Sequence, residues 1–141
     1  MIQHQANLGG RTAGYMASWS DYIAFGRNAY KMRKYPDAEQ HFRDALAVAQ
    51  SNGADQSKIA ESLINLGLAC KAQNKYSQAE EYYEKGVRIY EATASSSTSL
   101  AAALNNLSVL YKAEAKYTDA ELMYRRALGI SEREHGEEHA T

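Results

Sequence analysis

A repetition with a period of 41 residues restricts the fold of this 141-residue chain more than any other feature. Segments 60–91 and 101–132 share thirteen identities in 32 positions, and a more divergent first copy precedes them. Such a period is typical of repeat proteins, in which each unit buries its apolar face only against its neighbours. We divide the chain into a flexible or partly helical leader and three repeats, at 1–18, 19–59, 60–100 and 101–141.

Each repeat has the pattern of two helices joined by a turn. In the second repeat an apolar series from Leu63 to Cys70 recurs at helical spacing, a polar break follows at 71–75, and a second series runs from Ala79 to Tyr90. We therefore predict an all-α protein, a right-handed α-solenoid of three helix-turn-helix repeats. The predicted helices cover 19–33, 36–51, 58–73, 77–93, 99–114 and 118–134.

Two of the predicted second helices begin with a pattern typical of a capping box. Ser77 stands three residues before Glu80, and Thr118 stands three residues before Glu121. In a capping box the hydroxyl and the carboxylate each accept a hydrogen bond from a free backbone amide at the helix start. The first repeat has Pro36 near this place, which suits the first turn of a helix.

Small and aromatic residues recur at fixed places in the repeats. The first helices share one small position, which holds Gly26, Gly67 and Ser108. The second helices share another, which holds Ala38, Ala79 and Ala120. One turn further on they share an aromatic position, which holds Phe42, Tyr83 and Tyr124. We expect the small residues where two helices cross closely, and the rings in the space between adjacent hairpins.

These positions give the chain a resemblance to the tetratricopeptide repeat family. The family's small residues match Gly67, Ala79 and Gly86, and its second-helix aromatic matches Tyr83. The period of 41 is similar to that of the long-repeat variety typified by kinesin light chain, as are segments 104–111 and 127–139. The resemblance implies a stack of hairpins whose first helices line a concave groove that binds other proteins.

Composition and charge argue against several classes of protein. Sixteen basic and seventeen acidic residues give a net charge of −1, whereas a nucleic-acid-binding protein usually has a basic excess. No apolar run approaches the roughly 18 residues needed to span a membrane. The first ten residues lack the pattern of a secretory signal, and the single cysteine, Cys70, excludes a disulfide scaffold. We expect a cytoplasmic protein without nucleic-acid or membrane partners.

No group of residues predicts catalysis or a cofactor. The sequence has no arrangement of nucleophile, base and oxyanion stabiliser, so we expect no enzymatic activity and no cofactor. His135 and His139 have the spacing of two metal ligands on one helical face. Because Gly136 is expected to interrupt the helix between them, we predict no metal site. Cys70 lies on the apolar series and is interpreted as a small core residue.

The first helices carry the candidate binding residues, on positions outside the apolar stripe. Asn65 and Asn106 are the strongest candidates, because an amide can donate to and accept from the backbone of an extended peptide. Alternatively, these asparagines only bond the neighbouring helix, and the lysines are ordinary solvated charges. The predicted groove residues are Arg27, Tyr30, Lys31, Ile64, Asn65, Leu68, Lys71, Asn105, Asn106, Val109 and Lys112.

We predict a protein–protein interaction module, a scaffold or adaptor that binds an extended segment of another protein. Two alternatives remain: a structural domain that self-associates through its repeat ends, and a regulatory fragment of a larger enzyme. We also expect the three repeats to be part of a longer array. For end-to-end contacts the sequence suggests Leu122, Met123 and Ile130 on the last helix.

Overall fold

Six helices in three consecutive pairs make up the part of the chain described by this computed structural model, and no strand occurs in that part. The described residues are 17–51, 53, 55–93 and 97–139. The helices are α1 (Trp19–Lys31), α2 (Tyr35–Ser51), α3 (Gln56–Ala72), α4 (Tyr76–Ala92), α5 (Ser97–Ala113) and α6 (Tyr117–His139). The prediction of an all-α solenoid of helix pairs is confirmed. Most of the predicted leader, residues 1–16, lies outside the described residues.

The second helices begin one residue earlier than predicted, so the two predicted capping boxes are wrong. The N-cap of α4 is Lys75, which makes no side-chain capping bond, and Ser77 is already the second residue of the helix. Thr118 likewise lies inside α6. Pro36 does lie in the first turn of α2. Helix α6 also continues through Gly136, because a single glycine costs a helix only about 1 kcal/mol and does not end it.

A residue with left-handed backbone conformation ends each first helix. The three residues have φ of 62° and stand one period apart, at Arg33, Asn74 and Ala115. The next residue of each turn donates its backbone N–H to a carbonyl five residues earlier, with lengths of 2.8, 2.9 and 2.8 Å. This bonding satisfies carbonyls at the helix end and reverses the chain within a few residues. The three hairpins therefore have equivalent turns.

Side-chain caps occur instead at the first helices of the first two repeats. Ser18 and Asp21 form a reciprocal capping box at the start of α1. Asp55 accepts hydrogen bonds from the backbone N–H groups of Ser57 and Lys58 at the start of α3. These caps match the preference of helix starts for short polar side chains, although the sequence analysis did not identify them.

In the first two repeats the aromatic ring at the shared position packs directly on the small residue of its own hairpin. A Cβ atom added to Gly26 would lie 2.3 Å from the ring of Phe42, and one added to Gly67 would lie 2.4 Å from the ring of Tyr83. Both rings are buried and also contact the following repeat. The third repeat differs, because Tyr124 is 54% exposed and does not fill a space between hairpins.

Each helix packs mainly against the helices before and after it, which makes the core continuous along the stack. Phe42 and Ala45 of α2 share one buried cluster with Leu66 of α3, and a second cluster joins α4 to α5 and α6. Of the three residues predicted for end-to-end contacts, Leu122 is exposed, Met123 is partly buried on the core and Ile130 is buried. Ile130 therefore does not belong to an end surface, and association through the repeat ends stays a prediction. No helix in the described part combines the length and apolarity needed to cross a bilayer.

Candidate functional site

Two adjoining hollows open where the first helices of successive repeats meet. The first, which we call the Phe42 hollow, has a volume of about 250 Å³. It is lined by Arg27, Tyr30, Lys31, Phe42, Asn65 and Leu68. The second, the Tyr90 hollow, has a volume of about 240 Å³. It is lined by Arg27, Glu61, Ile64, Asn65, Tyr90, Ser99, Ala102, Ala103 and Asn106. Arg27 and Asn65 line both hollows, which together form the groove.

Asn65 lies at the centre of the groove with an unsatisfied amide. Its side chain is 9% exposed, and its Nδ2 has no hydrogen-bond partner among the described residues. The buried core of α3 holds this side chain in place, since Leu63, Leu66 and Ala69 fix the other faces of the helix. A buried amide without a partner typically costs about 1–3 kcal/mol, so this group favours a ligand that accepts its hydrogen bond.

Asn106 stands one repeat after Asn65 and lines the far side of the Tyr90 hollow. It is half-buried, and no hydrogen bond joins its side chain to another residue in the described part of the chain. The alternative that these two asparagines only bond a neighbouring helix therefore finds no hydrogen bond in this structure. Both amides face the same groove from successive repeats.

The groove carries more positive than negative charge. Arg27 on α1 and Glu61 on α3 form an ion pair of 3.1 Å across the boundary between the two hollows. Lys31 and Lys71 have no ion pair with any described residue. Only Lys31 of these two lines the Phe42 hollow, whereas Lys71 is half-buried on α3 and lines neither hollow. The local excess of cations contrasts with the net charge of −1 for the whole chain.

Three of the predicted groove residues belong to a different hollow. Asn105, Val109 and Lys112 on α5 face a space of about 580 Å³ next to α6, which we call the Tyr124 hollow. Its remaining lining residues are Ser108, Tyr117, Ala120, Glu121 and Tyr124. Ile64 is mainly a core residue, because it is buried and its Cδ1 would lie 2.7 Å from a Cβ added to Gly86. The predicted set thus divides between the groove and the Tyr124 hollow, and Lys71 lines neither.

Aromatic residues of the second helices line these hollows, and the sequence analysis missed that role. Phe42 contributes to the groove from α2, Tyr90 from α4, and Tyr124 lines its own hollow from α6. Burial and then the nearby Glu61 carboxylate raise the pKa of the Tyr90 phenol, so it stays a neutral hydrogen-bonding group. The recurrence of an aromatic residue at Phe42 and Tyr124 indicates packing, but it does not show which of these rings also reaches a surface.

Cys70 and two histidines are the remaining side chains that the sequence analysis considered for chemistry. Cys70 is fully buried, and burial together with the nearby Glu39 carboxylate raises the pKa of its thiol to about 11. The thiol is therefore protonated at neutral pH, as expected of a core residue. No cluster of three or more metal-ligating side chains occurs among the described residues. His135 and His139 lie on one continuous helix, and the side chain of His139 lies outside the described part.

The sequence and the fold both match known proteins. A family model described as tetratricopeptide repeat matches residues 19–92, and a second model with the same description matches 100–141. BtubC (BKLC) from P. vanneervenii has a similar structure, with a TM-score of 0.77 and 23% identity over 84% of this chain and 48% of that chain. This chain thus spans about half the length of BtubC.

A second similar structure is the N-terminal domain of stress-induced protein-1 (STI-1) from C. elegans. Its TM-score is 0.64, with 19% identity over 82% of this chain and 88% of that chain. Comparison with curated proteins finds no match. At these identities the two solved structures establish a shared fold.

Proposed function

Since this chain belongs to the tetratricopeptide repeat family, we propose that it binds an extended segment of another protein in the groove formed by its first helices. Membership in the family and the resemblance to kinesin light chain repeats support a protein-interaction scaffold in general. The extended segment and the groove are the specific parts of the proposal. A binding module of this kind needs no cofactor and no catalytic group.

The observation that carries the proposal is the unsatisfied amide of Asn65. Folding leaves its Nδ2 buried beside a hollow with an apolar wall from Phe42 and Leu68. A peptide carbonyl in the groove would accept the missing hydrogen bond, while an apolar side chain of the ligand would occupy the hollow. Asn106 offers the same two-way hydrogen bonding one repeat later, which suits a ligand backbone that crosses both hollows.

The groove charges favour a segment that carries carboxylates. Arg27 has only Glu61 as a carboxylate partner in the groove, and Lys31 is an unpaired cation at its edge. Exposed charges contribute mainly to steering and to salt dependence, because counterions screen them. We therefore assign the affinity to Asn65 and the apolar walls, and the preference for acidic segments to the two cations. A cytoplasmic location and the absence of catalysis remain part of this proposal.

The test begins with a ligand selected from a phage-displayed library of random dodecapeptides. The affinity of the selected peptide is then measured by isothermal titration calorimetry for the wild type and for Asn65→Ala. We expect about tenfold weaker binding by Asn65→Ala, equivalent to about 1.4 kcal/mol, because the peptide group loses its donor. The free energy of unfolding should stay the same or rise slightly, because the variant removes an unsatisfied buried amide.

Asn105→Ala is the matched control, because it removes the same group from an exposed position outside the groove. It should leave the affinity unchanged. Lys31→Gln should weaken binding only at low salt. Unchanged affinity in Asn65→Ala, together with a loss of stability, would mean that Asn65 is a structural residue and that the groove is not the binding surface.

A further inference from the structure

An ion pair recurs at each boundary between consecutive repeats. Glu39 on α2 pairs with Lys75 at 3.1 Å, and one period later Glu80 on α4 pairs with Lys116 at 2.9 Å. In both pairs the carboxylate lies on the second helix of one repeat, and the ammonium lies in the turn of the next repeat. This ion pair therefore forms part of the packing contact between one repeat and the next.

The first of these pairs lies in a well-defined polar site. Burial would raise the pKa of Glu39, but hydrogen bonds from Gln73, Arg43 and Lys75 outweigh burial and hold it below its usual value. The carboxylate is 6% exposed and ionised at neutral pH. Three donors from two repeats thus converge on one buried carboxylate, which makes the position of the second repeat specific.

The two residues that are equivalent to the members of these pairs, one carboxylate and one ammonium, lie at opposite ends of the stack. Glu121 occupies the position of Glu39 and Glu80 in the third repeat, but among the described residues it bonds only Arg125 of its own helix, and it is 62% exposed. Lys34 occupies the position of Lys75 and Lys116 in the first repeat. It is exposed and has no ion pair within the described part of the chain.

The third repeat has an apolar surface beside Glu121. In the second repeat the equivalent surface is covered by the repeat that follows. Tyr83 and Val87 of the second repeat are 0% and 5% exposed because α5 packs on them. Their counterparts in the third repeat, Tyr124 and Leu128, are 54% and 43% exposed. Val109, 52% exposed, extends this surface into the Tyr124 hollow.

The opposite end of the stack presents a matching face. On α1, Phe25 stands at the position of the buried Leu66 of α3, and it is half-buried. Met32, just after α1, is 56% exposed and stands at the position of Gln73, which bonds Glu39 across the boundary between repeats. Lys34 follows in the same turn. The described residues of the first repeat therefore offer an apolar strip next to a free cation.

We propose that two copies of this chain associate head to tail, with the first repeat of one copy on the Tyr124 and Leu128 surface of the other, and Lys34 of the first beside Glu121 of the second. The contact repeats the geometry of the two internal boundaries. It uses the repeat ends rather than the groove, so it stands independently of peptide binding.

Head-to-tail contact has a distinctive consequence for the size of the assembly. The two contacting surfaces differ, so each bound copy leaves one free surface of each kind, and association continues beyond a dimer. The weight-average mass should rise steadily with concentration. High salt should weaken the association, because it screens the exposed pair of charges.

Charge exchange tests the pairing directly by sedimentation equilibrium of the full chain, from micromolar to millimolar concentration. Glu121→Lys and Lys34→Glu should each weaken self-association at least about tenfold, because each places like charges opposite one another. An equimolar mixture of the two variants should regain the association, since every contact in the mixture can again pair opposite charges. The double variant should regain it too. Leu128→Ser should weaken association through the apolar part of the contact.

Glu81→Lys is the matched control, because Glu81 is about as exposed as Glu121, also forms an ion pair with a cation four residues later on its own helix, and lies on α4 rather than on α6. It should associate like the wild type, and circular dichroism should show the same helicity for all variants. A chain that stays monomeric at millimolar concentration overturns the proposal. So does a mixture that fails to regain association, or a dimer that Lys34→Glu does not affect, which would indicate contact between two third repeats.

Discussion

Replacing Gly67 by alanine tests whether the close contact between Gly67 and the ring of Tyr83 sets the angle between the two helices of the hairpin. The added Cβ would lie 2.4 Å from both Cδ1 and Cε1 of Tyr83. Carbon atoms in ordinary contact are about 3.5–4.0 Å apart, so the ring or the helix would have to move by about 1 Å. Tyr83 is 0% exposed and packs on α5 as well, which leaves the ring no free space.

Two effects of opposite sign determine the size of the change. Alanine in place of glycine stabilises a helix interior by about 1 kcal/mol. Overpacking a filled core costs about 1–3 kcal/mol. Gly129 lies inside α6, and a Cβ added there meets nothing within 4 Å. Gly129→Ala should therefore gain about 1 kcal/mol of unfolding free energy, whereas Gly67→Ala should lose up to about 2 kcal/mol.

The assay is urea unfolding followed by far-ultraviolet circular dichroism, with the slope of the transition checked for each variant. The helix-propensity effect is common to both variants, so the difference between them isolates the packing cost. We expect this difference to be about 1–3 kcal/mol. If both variants are stabilised to the same extent, Tyr83 does not press on Gly67, and our account of the hairpin angle is wrong.

Three further changes address single features of the fold. Tyr83→Phe should raise the free energy of unfolding by about 1 kcal/mol, because the buried hydroxyl has no partner; Phe42→Tyr should lower it, as chemical denaturation would show. Ala115→Gly should raise the melting temperature slightly, by an amount equivalent to about 0.5 kcal/mol, since glycine accepts a φ of 62° without strain; an unchanged or lower value would contradict the turn geometry. The pKa of Glu114 is raised by burial and by its hydrogen bond and repulsion with Glu80, so the folded state holds this proton more tightly than the unfolded chain. The wild type should therefore lose stability, relative to Glu114→Gln, as pH rises above the ordinary glutamate range, and the two should be most alike at acidic pH.

The repeat and its helix pairs follow from the sequence, because they depend on local patterns. Apolar residues at helical spacing define each helix, and a period of 41 repeats the same hairpin three times. The recurrence of small and aromatic residues at fixed places was also visible, but the direct contact of the Tyr83 ring with Gly67 was not predicted. Such features need only the identity of residues along the chain, and the predicted helices agree with the structure to within a few residues at most ends.

The helix ends were harder to predict, because a backbone amide can be satisfied in more than one way. Ser77 has the residue type and spacing of a cap, but the left-handed turn at Asn74 begins the helix at Tyr76 and leaves Ser77 inside it. Ala115 adopts the same turn without the usual preference for glycine or asparagine. The bond from the Lys116 N–H to the Tyr111 carbonyl closes the helix in this conformation, and the residue type at position 115 does not indicate it.

The exposure of equivalent residues was decided by the tertiary structure alone. Tyr83 and Tyr124 have the same place in their repeats, yet one is fully buried and the other is 54% exposed. Asn105 and Asn106 are adjacent in the chain but face different hollows, and Asn65, unlike these two, combines burial with an amide nitrogen that has no partner among the described residues. A residue's side chain determines what it can bind, whereas its exposure depends on which helix covers it, and that neighbour is set by the stacking of the repeats.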